Sequence, residues 1–311
     1  MKLWLVGVGP HAIEYAKVLK KLNVDFEAIG RGVESCKNFT LMTEKAAHSG
    51  GISSAINLLG PPEIAIISVS FDQLSNVAIA LIKAGTKKIL LEKPGGLNIL
   101  EINKLHEIAK AFNASVYIAY NRRFYSSTTY VMDRIKEDGG VTSCIFEFTE
   151  WAHTIAPWQV PVKVKEALIF ANSSHVIDLA FYICGKPLEW KSWCQGKIFW
   201  HPSAARFAGA GVTEDGVLFS YHADWEAPGR WGLEILTRKH RFILRPMEKL
   251  FVTEIGSIAV NQVELNDNLD IEFKPGLYKQ TQAFLEGKTD EFCTLEEQYQ
   301  MAPIYSKIAG Y

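Results

Sequence analysis

Up to about residue 119, short apolar runs of strand length alternate with longer segments in which apolar residues recur at helical spacing. The runs predict strands at 3–8, 26–29, 64–69, 88–91 and 115–119, and the segments between them predict helices at 11–22, 35–43, 74–84 and 98–112. Such alternation is typical of a parallel, doubly wound sheet. We therefore predict an α/β fold with an N-terminal Rossmann domain over residues 1–119.

Beyond residue 119 the pattern changes to longer strands that are rich in aromatic residues. Runs at 144–151, 190–200 and 216–225 predict strands, and helical spacing at 127–137, 176–183 and 278–286 predicts helices that cover one face of their sheet. The proline-containing segment 151–166 reads as a loop that could cover a substrate. These features predict a C-terminal α+β domain, residues 120–311, built on a mostly antiparallel open sheet.

Charge and cysteine content narrow the class of partner. The chain has 311 residues, and its 33 Lys and Arg nearly cancel its 34 Asp and Glu, without a long basic run that would favour nucleic acid. Its five cysteines are scattered, which predicts reduced thiols and no metal site. The sequence shows neither the pattern of a signal peptide nor an apolar run long enough to span a membrane. We expect a cytoplasmic protein with a small-molecule partner and no membrane partner.

A glycine-rich turn, GVGPHA at residues 7–12, directly follows the first predicted strand and fits the dinucleotide-binding pattern G-x-G-x-x-G/A. Gly7 would permit the tight turn, Gly9 would let the backbone approach a pyrophosphate, and Ala12 would let the helix pack on the strand. Pro10 and His11 are counted as candidate cofactor contacts, without a chemical role for the His11 ring. The alternative is an ordinary turn that merely uses glycine.

The end of the second predicted strand bears on the choice of cofactor. It reads Gly30-Arg31 and lacks the carboxylate that would bind the ribose 2′-hydroxyl of NAD. Because a guanidinium can pair with a 2′-phosphate, NADP is favoured and NAD stays possible, unless Arg31 is only a solvated loop residue. Ser68 and Ser70, at the end of the third predicted strand, are further candidate cofactor contacts.

Lys93 stands at the end of the fourth predicted strand, in the sequence Glu92-Lys93-Pro94. Ligands of parallel sheets bind at the carboxyl ends of the strands, so Lys93 is expected to meet substrate and cofactor, with Glu92 beside it. Desolvation disfavours the charged form of an amine, which would allow a buried lysine to exchange protons near neutrality. The alternative is a surface lysine that follows a strand.

Besides the glycine turn and the Glu92-Lys93-Pro94 segment, the sequence contains two further motifs, YNRRF at 120–124 and SHVID at 174–178. Taken together and in this order, the four resemble the glucose-fructose oxidoreductase / inositol dehydrogenase / MocA family over essentially the whole chain. The resemblance implies an NAD(P)-dependent sugar dehydrogenase or reductase that acts on CH–OH groups. It also implies that the second domain binds substrate and forms homo-oligomers, either dimers or tetramers.

The resemblance further implies roles for individual residues. Lys93 and His175 would act at a substrate hydroxyl group. His175 would take the hydroxyl proton as hydride leaves the substrate for the nicotinamide. The peptide bond between Lys93 and Pro94 would be cis. Asn121, Arg123 and Asp178 would contact the substrate. The alternative for His175 is a structural histidine that caps a helix or is buried, and the alternative for Asp178 is a residue that supports the start of the helix. One of Arg122 and Arg123 could instead brace the domain junction.

One departure from the family pattern bears on the general base. Family members commonly have Asp four residues before this histidine, whereas the chain has Ala171. Asn172 could take part of the orienting role, but an amide cannot act as a base. The substrate class implied is a sugar, an amino sugar or a nucleotide sugar, with a lean towards an activated or acidic one. The alternatives are an NADP-sensing protein without catalysis, and a sugar lyase or hydrolase that uses hydride transiently.

Overall fold

The computed structural model describes residues 2–311 and divides the chain into two compact units. The first unit comprises Met1–Asn121 and Ile271–Pro303, and the second comprises Arg122–Asp270 and Ile304–Tyr311. Among the described residues, no helix combines the length and the apolar character needed to cross a membrane.

The strands, in chain order, are β1 (Leu3–Val6), β2 (Glu27–Ile29), β3 (Ala47–His48), β4 (Ile64–Ile67), β5 (Lys88–Leu91), β6 (Ser115–Ile118), β7 (Ser143–Glu147), β8 (Pro187–Gln195), β9 (Arg206–Thr213), β10 (Leu218–Asp224), β11 (Gly232–Leu236), β12 (His240–Leu244), β13 (Phe251–Glu254), β14 (Asn261–Gln262) and β15 (Cys293–Thr294). The helices are α1 (Pro10–Lys21), α2 (Val33–Thr43), α3 (Gly51–Leu59), α4 (Leu74–Ala84), α5 (Ile99–Ala111), α6 (Ser126–Asp138), α7 (Ala152–Ile155), α8 (Val162–Glu166), α9 (Ser174–Cys184), α10 (Asn268–Glu272), α11 (Leu277–Glu286) and α12 (Leu295–Ala309). Short 3-10 helices at Phe71–Gln73 and Asn121–Phe124 and a π-helical turn at Ile169–Ser173 complete the set.

The sheet of the first unit has the strand order β3-β2-β1-β4-β5-β6, and these six strands are parallel. This is the doubly wound Rossmann order, so the predicted fold is confirmed. Leu5, Ile66 and Leu90 lie side by side on three adjacent strands and are fully buried. Residues 11–22, predicted as the first helix, lie almost entirely in α1, which follows β1 directly.

The sheet of the second unit has eight strands in the order β14-β13-β12-β11-β7-β10-β9-β8. Only the β7–β10 pair is parallel, so the predicted mostly antiparallel sheet is confirmed. Phe219 and Tyr221 of β10 are buried whereas Leu218 is exposed, the alternation expected of a sheet with one covered face. Helix α9 packs on the covered face, where the Phe181 and Phe146 ring centroids are 5.5 Å apart.

The structure differs from the predicted division of the chain in one long segment. Residues 271–303 cluster with the first unit, although the division at 119/120 assigned them to the second domain. Strand β15 pairs antiparallel with β6, and α11, predicted to cover the second sheet, packs against α1. The ring of Phe284 on α11 lies 6.2 Å from that of Tyr117 on β6. Local periodicity identifies such a helix but does not show which sheet it covers.

Further differences concern single elements. Strand β9 was not predicted because its glycines lower its strand propensity; a Cβ on Gly209 would lie 2.3 Å from the Tyr221 ring, so the glycine makes room for that side chain. The predicted strand at 144–151 ends at Glu147, and the predicted loop 151–166 contains the short helices α7 and α8. Helix α12 has Pro303 in its interior, which argues against a helix in the sequence.

Candidate active site and cofactor site

The glycine turn joins β1 to α1 and leaves open space in front of the helix. A Cβ on Gly7, whose φ is +123°, would lie 2.0 Å from the carbonyl oxygen of Ser68, so the contact between β1 and β4 requires glycine. A Cβ on Gly9 would meet no atom within 4 Å. The N-cap residue Gly9 has no side chain that could accept from the first turn of α1, which leaves N–H groups of that turn for other acceptors. A helix N-terminus of this kind fits phosphate groups.

The end of β2 has the geometry expected of a close turn. A Cβ on Gly30 would lie 2.4 Å from the Cys36 sulfur, so packing requires glycine here. Arg31 is exposed, and its backbone carbonyl oxygen accepts a hydrogen bond from the N–H group of Gly50 at 3.1 Å. Ser68 is buried directly after β4, while Ser70 is exposed before the 3-10 helix.

Lys93 is buried at the carboxyl edge of the parallel sheet, with 6% of its surface exposed. It follows β5, which is separated from β1 and its glycine turn by the single strand β4. The Lys93 Nζ atom lies 4.7 Å from the centroid of the Phe71 ring, a cation–π contact. The alternative of a surface lysine is therefore excluded by its burial, and the Lys93–Pro94 bond is cis, as the resemblance implies.

A glutamine from the far end of the chain holds the Lys93-Pro94 turn. Gln298 on α12 is fully buried, and its Nε2 donates to the carbonyl oxygen of Pro94 at 2.9 Å and to the Tyr120 hydroxyl at 3.3 Å. Gly95, with φ of +80°, closes the turn by donating its N–H to the Glu92 carbonyl at 3.1 Å. Sequence analysis could not identify Gln298, since it is 204 residues away from Pro94.

Glu92 is the centre of a polar network beneath the glycine turn. One carboxylate oxygen accepts from the Tyr15 hydroxyl at 2.7 Å and lies 2.8 Å from His11 Nε2, and His11 Nδ1 lies 3.2 Å from Lys274 Nζ. Burial alone would raise the pKa of Glu92, but His11, Tyr15 and Lys274 outweigh burial and lower this pKa to about 2. Glu92 is therefore a fixed anion next to Lys93, and His11 has a partner that the sequence did not indicate.

In the second unit, a π-helical turn leads into α9 and its His175. The ring of His175, which is 8% exposed, lies 6.0 Å from the Trp231 ring. Ala171 and Asn172 lie within the π-helical turn, one helical turn before His175. Helical turns of this wide type often mark functional sites.

Three residues predicted to bind substrate have partners within their own units. Arg123 and Asp178, both almost fully buried, form a bidentate ion pair with N–O distances of 2.9 and 2.6 Å. This pair joins the 3-10 helix to α9, which is the bracing role considered for one of the two arginines. Asn121 in the first unit donates from Nδ2 to the Pro275 carbonyl at 2.8 Å. All three side chains thus have a structural task.

Glu150, which the sequence analysis did not single out, is a buried carboxyl group beside the π-helical turn. It is 1% exposed, and it accepts from Asn172 Nδ2 at 3.0 and 3.1 Å and from the Ser173 hydroxyl at 2.8 Å. Arg230 Nη1 lies 3.4 Å away. Burial raises the pKa of Glu150 to about 7, although Ser173, Arg230 and Asn172 act in the opposite direction. The only signal for it in the sequence was its place after a strand.

The first unit therefore brings together the glycine turn, Ser68, Glu92 and Lys93 at one sheet edge. The second unit brings together Asn172, His175, Glu150 and Trp231. The first arrangement, with its strand order and its open helix N-terminus, defines the class of Rossmann dinucleotide-binding proteins.

Comparison with known proteins extends this classification. No known protein-family profile matches the chain. A myo-inositol 2-dehydrogenase of Thermotoga maritima is 22% identical over 193 residues, which cover 61% of this chain and 56% of that protein's length. The chain therefore spans little more than half of the curated relative that it matches.

Solved structures share the fold over nearly the whole chain. A UDP-N-acetylglucosamine 3-dehydrogenase from Acidithiobacillus ferrooxidans superposes with a TM-score of 0.76 at 14% identity, covering 99% of this chain and 96% of that one. A levoglucosan dehydrogenase in complex with NADH and L-sorbose gives 0.80 at 15% identity, covering 100% and 96%. The chain is thus similar to the glucose-fructose oxidoreductase / inositol dehydrogenase / MocA family, as its motifs predict.

Proposed function

We propose that the chain is an NAD(P)-dependent oxidoreductase that transfers hydride between nicotinamide and a secondary alcohol or ketone of a sugar, an amino sugar or a nucleotide sugar. The burial of Lys93 at the sheet edge, one strand away from the glycine turn, is the observation that carries this proposal. The names of the similar proteins, which are dehydrogenases of inositol, UDP-N-acetylglucosamine and levoglucosan, support the reaction class.

The residues of the first unit fit a dinucleotide. The open space at Gly9 leaves room for the pyrophosphate, and the N–H groups of the first turn of α1 would bind its oxygens. Further contacts would come from Gly7, Pro10, His11, Ala12, Gly30, Ser68 and Ser70. Arg31 would pair with a 2′-phosphate, so we propose NADP as the preferred cofactor, with NAD possible.

Lys93 and His175 are the residues that we propose to act on the substrate. When bound, the nicotinamide ring supplies the hydride acceptor or donor. Lys93 donates a hydrogen bond to the substrate oxygen and stabilises negative charge on it. His175 takes the hydroxyl proton during oxidation and returns it during reduction. Asn172 orients the substrate, and Asn121, Arg123 and Asp178 are its further proposed contacts, in addition to the hydrogen bonds and the ion pair that they form within the protein. Glu92 is proposed as a further contact of the cofactor.

The test of this proposal replaces Lys93 with methionine, which keeps the packing on Phe71 but removes the amine. We expect turnover to fall by about 10²- to 10⁴-fold while dinucleotide binding is nearly unchanged. The assay follows deuteride transfer from deuterated NADPH to a panel of keto sugars. Lys88→Ala is the matched control, because Lys88 also contacts a phenylalanine ring, that of Phe284, and lies four residues before the turn that contains Lys93; it should keep full turnover.

The outcomes separate the alternatives. A protein that binds NADPH but never exchanges deuterium with any sugar would be a sensor, and the proposal would be overturned. Exchange without a net change of absorbance at the reduced nicotinamide band would indicate transient hydride use by a lyase or hydrolase. Unchanged turnover in Lys93→Met would refute the role of the lysine.

A second variant tests the cofactor preference. We expect Arg31→Ala to weaken NADP binding by about tenfold and NAD binding much less, since only NADP offers a 2′-phosphate to the guanidinium. Fluorescence titration with both reduced dinucleotides measures the two affinities. Equal weakening of both would contradict the preference for NADP.

We also propose that the chain forms a homo-oligomer, a dimer or a tetramer, in the cytoplasm. The exposed side chains of Ile145, Trp193 and Leu218 on strands of the second sheet support a second copy as the occupant of its uncovered face. The five free cysteines among the described residues support a reducing compartment. Light scattering of Trp193→Ser against the unaltered chain tests the assembly, which the substitution should weaken.

A further inference from the structure

Glu150 is a buried acid that the proposed hydride transfer does not use. Its partners at hydrogen-bond distance are the neutral side chains of Asn172 and Ser173, and its nearest cation is Arg230. The distance of 3.4 Å from Arg230 Nη1 to Glu150 Oε2 is long, since charge-assisted N–H···O bonds are usually about 2.7–2.9 Å. The ion pair is therefore loose, although the carboxyl group is only 1% exposed.

Arg230 is held in place by aromatic rings rather than by this ion pair. Its guanidinium carbon lies 4.5 Å from the centroid of the Trp231 ring and 4.9 Å from that of Trp151. Stacking fixes the plane of a guanidinium and leaves the N–H groups at its edge for acceptors. The side chain is 44% exposed, so part of this five-donor guanidinium is accessible to a ligand.

The Trp231 ring places this arginine near His175 within the second unit. The ring of His175 lies 6.0 Å from the Trp231 ring, and the guanidinium of Arg122 lies 4.7 Å from the centroid of the same ring. His175, Arg122 and Arg230 therefore all lie next to the Trp231 ring. The charged group that acts on Glu150 is Arg230, and Arg122 and His175 lie against the Trp231 ring.

We propose that Arg230 is an anion-binding residue of the substrate site and that Glu150 is its buried competitor. A carboxylate or phosphate group of the substrate binds Arg230 in place of the Glu150 carboxylate, which takes up one proton from solvent. The inference rests on the proposed function in taking the ligand to be a sugar derivative, and it narrows that ligand to one with a negative charge.

The physical basis is the repulsion between two anions that share one guanidinium, one of them the buried Glu150 carboxylate. Like charges at close range favour protonation of one partner. Because burial has already raised the pKa of Glu150 to about 7, neutralising it near neutral pH costs little. The neutral acid still accepts from Asn172 and Ser173, so the turn before His175 keeps its shape.

The first arm of the experiment measures the equilibrium binding of galacturonate to the full chain at pH 6 and pH 8. If only molecules with a neutral Glu150 bind the anion, the fraction of molecules able to bind is about 0.9 at pH 6 and about 0.09 at pH 8. Binding should therefore be about tenfold weaker at pH 8 than at pH 6. Glu150→Gln keeps the shape but cannot ionise. It should bind galacturonate equally at both pH values, about tenfold tighter than the unaltered chain at pH 8 and nearly the same at pH 6.

A purely structural role for Glu150 gives a different result. The substitution would then weaken binding at both pH values, and this outcome overturns the proposal. Calorimetry at pH 8 in two buffers of different ionisation enthalpy adds an independent readout. The unaltered chain should take up nearly one proton per galacturonate bound, and Glu150→Gln should take up none.

The second arm tests Arg230 and the kind of anion at pH 7. Arg230→Gln should weaken the binding of an anionic sugar by about 10- to 100-fold and leave galactose unaffected. Galacturonate and galactose 6-phosphate distinguish a carboxylate from a phosphate as the preferred group. Arg206→Gln is the matched control, because Arg206 has a similar exposure of 50% and also faces a glutamate, Glu226 at 3.8 Å; it should bind as the unaltered chain does.

The two proposals fail separately. A preference for neutral sugars, or affinities that do not respond to Arg230→Gln, overturns the anion site and leaves hydride transfer intact. Binding of acidic sugars at Arg230 without any deuterium exchange overturns the proposed reaction and leaves the anion site intact.

Discussion

Each unit contains a buried glutamate next to a residue that we propose to act on the substrate, and the two glutamates differ in charge. Glu92 precedes Lys93 and has Tyr15, His11 and Lys274 around it, which hold its pKa at about 2. Glu150 lies beside the turn that leads to His175, and burial holds its pKa at about 7. Both lose hydration, so the difference comes from their partners.

The comparison shows that burial alone does not decide the charge of an acid. Glu92 is an anion at every physiological pH, which suits a group that fixes the turn around Lys93. Glu150 has neutral donors and one distant guanidinium, so it can gain or lose a proton while keeping its hydrogen bonds. The first glutamate provides constant structure, and the second can respond to a ligand.

The largest effect expected is that of Glu92→Gln on stability. A carboxyl group whose folded pKa is lowered contributes stability that is present above its unfolded pKa and lost as the pH falls through the folded value. With values of about 2 and 4.5, the contribution at pH 7 is about 3 kcal/mol. Denaturant unfolding should show the variant less stable by this amount at pH 7, with the deficit shrinking below pH 4.5. A deficit that does not depend on pH would contradict the ionised state of Glu92.

Glu150→Gln should change stability in the opposite sense. Here the folded pKa is raised, so the contribution is full below about pH 4.5 and is lost as the pH rises through about 7. From pH 5 to pH 8 the variant should gain about 2.5 kcal/mol relative to the unaltered chain. If the free energy of unfolding depends on pH in the same way for both chains over this range, the pKa of Glu150 is not raised and the two glutamates do not differ.

A smaller effect is expected of Tyr15→Phe, which removes one hydrogen bond to Glu92. The bond is 2.7 Å long and its acceptor is charged, so its loss should cost about 2 kcal/mol in unfolding free energy at pH 7. Lys20→Gln, which breaks the exposed ion pair with Glu44, should change stability much less, because solvent screens this pair. Equal losses in the two variants would mean that the Glu92 network is no stronger than a surface ion pair.

The sequence predicts the parts of the molecule that depend on local order. The first unit follows from alternating strands and helices, and Gly7 and Lys93 follow from their positions at strand ends. The Glu150 cluster could not be predicted, because Asn172, Arg230 and Trp231 come from separate parts of the chain and meet only through tertiary packing. The substrate roles predicted for Arg123 and Asp178 stay predictions; their mutual ion pair was not foreseen, since motif matching does not reveal which charges pair with each other.

The return of residues 271–303 to the first unit has a consequence for synthesis and for fragment design. Strand β15, helix α11 and Gln298 all lie within this segment, so a fragment that ends at Asn121 would lack its edge strand and the side chain that holds Pro94. A ribosome must therefore release the chain as far as about residue 303 before the first unit can finish folding.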